Sequence, residues 1–425
     1  MNVNDSNIGN AENYSNIGNV EKATNHTIIN KADLKYLEFE ALYNAYIRKH
    51  NNIVAKLLDP FVQYNLSELP KVVVVQPDMK TGYGNRLPGI VCGFLYSLLS
   101  DRLFFIDGYK NFETYYEKDF NHDWQIVANL YENSTYRYIH NTNSYNDFRL
   151  VTRGNFNNEE INLQKILYIH TWDYICAPIT SNPHYKEWFD KIIPDYRVFK
   201  TISLKLLRVH PNIRKQIDTF ADKNFNEYNI GIHLREIKSL ANSIQPIEHY
   251  SQAVKMLLLG RKKTNISIFV AADNNIGRKQ IVKSLRKEFN SNSDNSIKII
   301  YTKDNMNLAN PVSRNPGSEV GALIDMQLLS LCDDLVITYG SSFGFIAAGW
   351  SNKTSHHRGP FVIMPITDSR DDLWILDKVW VWGAVSNEPC MYSSKLLIIN
   401  EDEETVEIFK TNPLWMHYSQ CHWPI

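Results

Sequence analysis

The sequence predicts an α/β protein built as two doubly wound units with an active-site cleft between them. Its 425 residues, 44% hydrophobic and 12% aromatic, exceed what one compact core accommodates. The run Val72–Val75, a glycine-containing turn, a helical stretch over Arg86–Ser100 and the apolar run Leu103–Ile106 form one β-α-β unit with buried, parallel strands. From Asn229 onward strand and helix signals alternate with few interruptions, the pattern of a doubly wound parallel sheet that binds ligands beyond its C-terminal strand ends.

Met1–Asn30 is rich in Asn and Ser and poor in large aliphatic residues. It reads as a disordered tail without the basic and apolar regions of a signal peptide. Leu34, Leu37, Phe39, Leu42, Tyr43, Tyr46, Val54 and Leu57 recur at helical spacing, so a long or broken helix opens the folded part. Short strands and loops are expected over Asp107–Arg149, with a buried strand at Ile166–Ile169. Helices follow over Arg197–Arg208 and from Pro211, a favoured first helical residue, to about Phe225. The second half predicts strands at Asn229–Arg235, Ile266–Ala271, Ile297–Tyr301, Leu335–Thr338 and Phe361–Met364. Helices are expected over Ile247–Leu259, Gly277–Phe289, Glu319–Cys332 and Phe343–Trp350. These divide the chain into the tail (1–30), a first unit (31–225), a second unit (226–370) and a C-terminal segment (371–425). That last segment, with Trp380, Trp382, Trp415 and Trp423, is expected to pack back on the first unit.

The formal net charge is −1 with both signs interspersed, which argues against nucleic acid or an anionic membrane as the main partner. An anionic ligand must then be gripped locally. Apolar runs such as Val72–Val75 and Leu396–Ile399 fall far short of the roughly 20 residues that span a bilayer, so no membrane span is expected in this chain. Five cysteines without a CxxC pair or a Cys/His cluster predict no structural metal site, and Cys390 and Cys421 are candidates to pair. Asn-X-Ser/Thr triplets recur, as at Asn65 and Asn265, but a chain this rich in those residues produces them by chance.

Three segments carry candidate chemistry. Thr81-Gly-Tyr-Gly-Asn-Arg-Leu-Pro-Gly89 lies between a buried strand and a helix, where free N–H groups and the helix dipole favour an anion. Gly84, Asn85 and Arg86 are its candidates; a tight turn with an Asn cap is the other reading. In Tyr228–Arg235, Ile230, Ile232 and Leu234 alternate with Gly231, His233 and Arg235, so His233 and Arg235 project together at the ligand-binding end. That pair suits a diphosphate; a surface ion pair of Arg235 with Glu236 beside a core histidine is the alternative. Asp325 sits in a largely apolar helix and needs a partner, which the donors of a guanine edge would supply. Ser341, Ser342 and Phe343 open the next helix, either as phosphate ligands or as an ordinary cap. Asp273, at a strand end, is either a ligand contact or the cap of the helix that follows.

Taken in order, these segments resemble the GDP-fucose-dependent fucosyltransferase superfamily, and most closely its plant-type xyloglucan α-1,2-fucosyltransferase family. Gly84-Asn-Arg-Leu and Gly93-Phe-Leu-Tyr-Ser-Leu-Leu-Ser-Asp-Arg102 are similar to that family's first motif. Leu328-Leu-Ser-Leu-Cys-Asp-Asp-Leu-Val, Ser342-Phe-Gly-Phe345 and Glu388-Pro-Cys390 are similar to its later ones. The resemblance spans roughly Val72 to Cys390 and is diluted between about Asp107 and Ile213.

The resemblance implies a GT-B type fold, with two Rossmann-like domains facing across a cleft. It implies metal-independent, inverting transfer of fucose from GDP-fucose to a glycan hydroxyl, with a galactoside acceptor and no cofactor beyond the donor substrate. Arg235 would bind the β-phosphate, His233 would lie beside the nucleotide, and Asp325 would accept from guanine. Ser341, Ser342 and Phe343 would contact phosphate or base, with Asp273 at the same site. Gly84, Asn85 and Arg86 would meet the pyrophosphate from the first domain. The family's address is the Golgi lumen, although the chain shows no signal or anchor. A protein O-fucosyltransferase and an inactive GDP-sugar- or carbohydrate-binding relative are the alternative functions. No general base is assigned, and Asp78, Asp273 and Glu236 are the carboxylates considered.

Overall fold

A computed structural model describes residues 31–140, 150–151, 153–157, 160–170, 174–180, 182–235, 247–259, 265–289, 297–302, 316–351, 359–363, 381–384 and 386–389. The expected tail, Glu236, Cys390, Cys421, Trp380, Trp415 and Trp423 lie outside them.

Two sheets organise the chain. The first contains β1 (Val72–Val75), β2 (Leu103–Ile106), β3 (Tyr136–Ile139) and β4 (Ile166–Ile169) in the order β2-β1-β4-β3, all parallel. β1 is four consecutive valines, each fully buried, because a central parallel strand is covered on both faces and β-branched side chains fit that pleated environment. β3 is the edge strand, and its Tyr136 and Tyr138 are exposed, which is why this region lacks a clean hydrophobic period. The second sheet holds β5 (Tyr228–Leu234), β6 (Ile266–Ala272), β7 (Ile297–Ile300), β8 (Asp334–Thr338), β9 (Phe361–Ile363) and β10 (Val381–Gly383). Their order is β10-β9-β8-β5-β6-β7. Only β10, which carries Trp382, runs antiparallel, closing the edge of the second sheet. A few residues on, Glu388 reaches back to the first half: it accepts from the Phe199 amide at 3.3 Å and from the Tyr174 hydroxyl.

The opening helix spans Lys31–Leu57. The helix after β1 spans Tyr83–Ser100 and is buried on nearly every side. It starts three residues earlier than the expected Arg86, so Gly84, Asn85 and Arg86 belong to its first turn rather than to a loop. Gly93 is required there by close packing: a Cβ at this position would stand 2.2 Å from Val75 Cγ2. The same helix is tied to Cys176 by a Cys92–Cys176 disulfide bridging 84 residues. Cys332 is buried, and its Sγ donates to the Leu328 carbonyl at 3.4 Å.

One apolar core runs through both halves. It includes Val73, Leu87, Ile90 and Phe94 from the first half and Leu323, Met326, Ile337, Phe345 and Ile346 from the second. The helix Val198–Leu206 wedges between them, with Phe199 edge-on to Trp350 at 6.0 Å. A hydrophobic contact of this extent holds two units in a fixed relation better than a thin polar interface does. Among the described residues no helix is long and apolar enough to cross a membrane.

Candidate active site

A cleft of about 960 Å³, counting the open space at its mouth, lies where the C-terminal ends of β5, β6 and β8 meet the turn after β1. Gly82, Tyr83, Gly84 and Asn85 line it from the first half; His233, Arg235, Asp273, Asp325 and Gly340–Phe343 are among the residues that line it from the second.

Two helix starts converge there. Gly82 caps the Tyr83–Ser100 helix in an extended conformation (φ −62°, ψ 155°) and has no side chain to cap it with. Facing it, the Ser342–Trp350 helix follows Gly340, which occupies the left-handed region at φ +69°. Its N-cap residue Ser341 makes no capping hydrogen bond through its side chain. Neither helix start spends a side chain on its own first amides, and although the Asn85 N–H turns back to the Gly82 carbonyl at 3.0 Å, a helix start without a side-chain cap offers amide donors at the cleft. The two starts nearly touch: a Cβ on Gly84 would lie 3.0 Å from Ser342 Oγ and 3.1 Å from the Phe343 nitrogen. Glycine is therefore needed at residue 84 for close approach, and two positive dipole ends share one small volume.

The strand ends supply side chains. Arg235, just past β5, is 38% exposed at its side chain and pairs with Asp273 at 3.1 Å. Its backbone is fixed, because its N–H donates to Thr338 Oγ1 at 2.9 Å while that hydroxyl donates to the His233 carbonyl at 3.0 Å. Tyr250 meets the same hydroxyl at 2.6 Å. His233 is buried and stacked on Phe343 (4.9 Å, 18°), and its Nδ1 has no hydrogen-bond partner. Burial, and secondarily the nearby Arg235 charge, holds its pKa down at about 3, so it is a neutral, flat wall at physiological pH. Asp273 is not the cap of the helix that follows. Asn274 takes that role, accepting from the Gly277 N–H at 2.8 Å and donating its own amide to Asp273 Oδ1 at 3.1 Å, while Asp273 Oδ2 faces Arg235. Asp325 is buried and accepts from Thr302 Oγ1 at 2.6 Å. Its carboxylate thus has a partner within the chain, which the sequence did not reveal.

Arg86 is placed differently from its neighbours. Its side chain is only 5% exposed and pairs with Glu319 at 2.7 Å, while a second guanidinium nitrogen donates to the Thr81 carbonyl at 3.1 Å. It lies behind the cleft wall and not among the residues lining it. The cleft therefore brings together nine of the ten sequence candidates: Gly84, Asn85, His233, Arg235, Asp273, Asp325, Ser341, Ser342 and Phe343. Glu319 and Thr302 were not anticipated. An arginine in an otherwise apolar helix does signal a buried counter-charge, but it does not say which carboxylate supplies it.

Chemically, the cleft offers a guanidinium and two helix starts, suited to an extended anion. Beside them stand a buried carboxylate and a stacked His/Phe pair, suited to a flat ring carrying hydrogen-bond donors. Among the described residues no group of three or more His, Cys, Asp or Glu is placed to hold a metal ion.

No family model matches the sequence, and no curated protein matches it. The chain is similar in fold to Arabidopsis thaliana FUT1. The solved structure, an arginine-to-lysine mutant in complex with GDP, aligns with a TM-score of 0.60 at 19% identity over 84% of this chain and 83% of that one. The fucosyltransferase NodZ from Bradyrhizobium matches at 0.44 and 15% identity, over 70% of this chain and 96% of that one. POFUT1 in its apo form matches at 0.40 and 11%, over 68% and 96%. The likeness to FUT1 establishes a shared fold, the GT-B-like α/β architecture expected from the sequence.

Proposed function

We propose that this protein is a glycosyltransferase of the fucosyltransferase superfamily that moves fucose from GDP-fucose to a hydroxyl of a glycan acceptor. A galactoside acceptor, an α-1,2 linkage and inversion without a metal are the finer form of the proposal. The observation that carries it is the convergence of Arg235 with the starts of the Tyr83–Ser100 and Ser342–Trp350 helices. The motif resemblance and the fold shared with FUT1, which was solved with GDP, support the same donor.

In this reading residues 226–370 hold the nucleotide and residues 31–225 present the acceptor. The diphosphate lies between the two helix starts. Amides at those starts, the Ser341 and Ser342 hydroxyls and the Asn85 side-chain amide donate to its oxygens. Guanine lies near Asp325, whose carboxylate accepts from the ring N1 and N2 hydrogens. His233 and Phe343 form a flat apolar wall beside the nucleotide, and His233 stays neutral because a charged imidazole there would be desolvated beside Arg235. As the acceptor hydroxyl oxygen bonds to the anomeric carbon, the bond to the β-phosphate oxygen breaks, the electron pair leaves with GDP, and the hydroxyl proton passes to water or to the departing diphosphate. Arg235 offsets that growing charge. Preorganised donors of this kind are a dominant source of rate enhancement, and removing one costs on the order of 10²–10³ in turnover. Arg86 acts on the donor through the wall it supports, not by contact.

The Cys92–Cys176 disulfide favours an oxidising compartment, in keeping with work in the Golgi lumen. The test is a donor and acceptor screen that reads GDP or UDP release. GDP-fucose with a β-galactoside should turn over and yield an α-1,2 product by NMR. Preference for another nucleotide sugar would overturn the donor assignment, transfer only to folded protein would move the acceptor, and GDP binding without any transfer would make the chain a binding relative.

A further inference from the structure

The Glu319 carboxylate belongs to the second half, near the start of the Pro316–Ser330 helix, yet both of its oxygens are taken by the first half. Oε1 accepts from Arg86 Nη1 at 2.7 Å and Oε2 from the Tyr115 hydroxyl at 2.7 Å. Arg86 continues the chain of bonds, since its Nη2 donates to the Thr81 carbonyl at 3.1 Å. Thr81 immediately precedes Gly82–Asn85, the first-half wall of the cleft. On its own helix, Glu319 sits one turn before Ala322, a lining residue, and three and four positions apart is the same helical face. Pair and network are largely dry, with side-chain exposures of 5% for Arg86 and 16% for Glu319.

We propose that Glu319 is a positioning residue that fixes the gap between the two helix starts. It pulls the Tyr83–Ser100 helix start against the Ser342–Trp350 start through Arg86 and Tyr115, so that donors from both halves meet one diphosphate. The proposal rests on the donor reading above. Gly84 leaves only 3.0 Å to Ser342 Oγ for a would-be Cβ, so the gap is set on the scale of one methyl group. Loosening the tie widens it and takes the first-half amides out of reach. An apolar interface of the same extent would hold the halves together without specifying this spacing.

The experiment is calorimetric titration of GDP into the full chain and into Glu319→Gln, with circular dichroism to verify the fold. Gln keeps the size and one acceptor but loses the charge that holds Arg86. The expected result is a Kd for GDP raised at least tenfold in the variant, with kcat lowered and KM for GDP-fucose raised. Tyr115→Phe removes one neutral hydrogen bond and should raise the Kd about twofold to tenfold, the range of one such bond; it serves as the test if Glu319→Gln does not fold. Unchanged Kd and KM in a folded variant, whatever its melting temperature, would overturn the positioning role and leave Glu319 as a structural tie. Failure of the unaltered protein to bind GDP would instead overturn the donor reading on which the proposal rests.

Discussion

Two arginines stand at the cleft, and their surroundings assign them opposite work. Arg86 is 5% exposed, paired with Glu319 and bonded to a backbone carbonyl, its charge consumed in joining the two halves. Arg235 is 38% exposed, with one guanidinium nitrogen on Asp273 and its side chain open to the cleft. Both fall in conspicuous motifs, one after a Gly-X-Gly turn and one at the end of a buried strand. What separates them is the location of the counter-charge. An arginine whose charge is met by a carboxylate in a dry site is a rivet; one held by a single carboxylate at a solvent-facing strand end is free to bind an anion.

The comparison breaks first at Arg235. Arg235→Ala should lower kcat/KM for GDP-fucose by about 10³-fold and leave the protein folded; Asp273, 9% exposed, loses its ion pair but keeps the Asn274 amide donor, so denaturation should show a loss of only about 1–3 kcal/mol. Arg86→Ala should do the reverse in kind. It leaves the Glu319 carboxylate, 16% exposed, without its counter-charge and with the Tyr115 hydroxyl as its remaining partner, so chemical denaturation should show a loss of about 3 kcal/mol, and the activity that remains should track the folded fraction and the loosened cleft. Substituting Gly84 tests the backbone side of the site. In Gly84→Ala the added methyl meets Ser342 and Phe343, an overpacking that typically costs about 1–3 kcal/mol, and steady-state kinetics should show KM for the donor rising by about tenfold.

The smallest effect is in pH. Burial holds His50 and His122 at about 4 and His233 at about 3, so each is neutral in the fold while its unfolded counterpart takes a proton below about 6.5. The unfolded state then binds more protons, and stability is lost as pH falls from about 6.5 toward 4. Glu388 opposes this: burial raises its pKa to about 7, so the fold holds a proton that the unfolded chain has released. Three groups outweigh one, so the melting temperature should rise between pH 4.5 and 6.5. Glu388→Gln should make that rise steeper; a melting temperature that falls with pH across this window would contradict the assignment.

The contrast also shows what was legible in the sequence. Buried parallel strands announce themselves, since Val72–Val75 and Tyr228–Leu234 need apolar residues on both faces, and their positions were readable to within a residue. Period-two alternation put His233 and Arg235 together at the strand end, while the choice of Arg235 over a surface ion pair drew also on electrostatic need and the motif resemblance. Less visible was anything set by distant partners. Glu319 lies 233 positions from Arg86, Cys176 lies 84 from Cys92, and Thr302 meets Asp325 from another element; no local pattern encodes those pairings. The Gly82–Asn85 turn failed for a different reason. Glycines at a helix start look like a loop, yet here Gly84 is helical because only a residue without a side chain lets two helix starts meet.

The central claim is that the cleft is a nucleoside-diphosphate site whose charge is met by Arg235. It is tested most directly by titrating GDP into the protein and into Arg235→Ala by calorimetry at fixed salt. Saturable one-to-one binding to the first, weakened at least a hundredfold in the second, is the predicted result. Equal affinity in both, or no GDP binding by the unaltered chain, would contradict it.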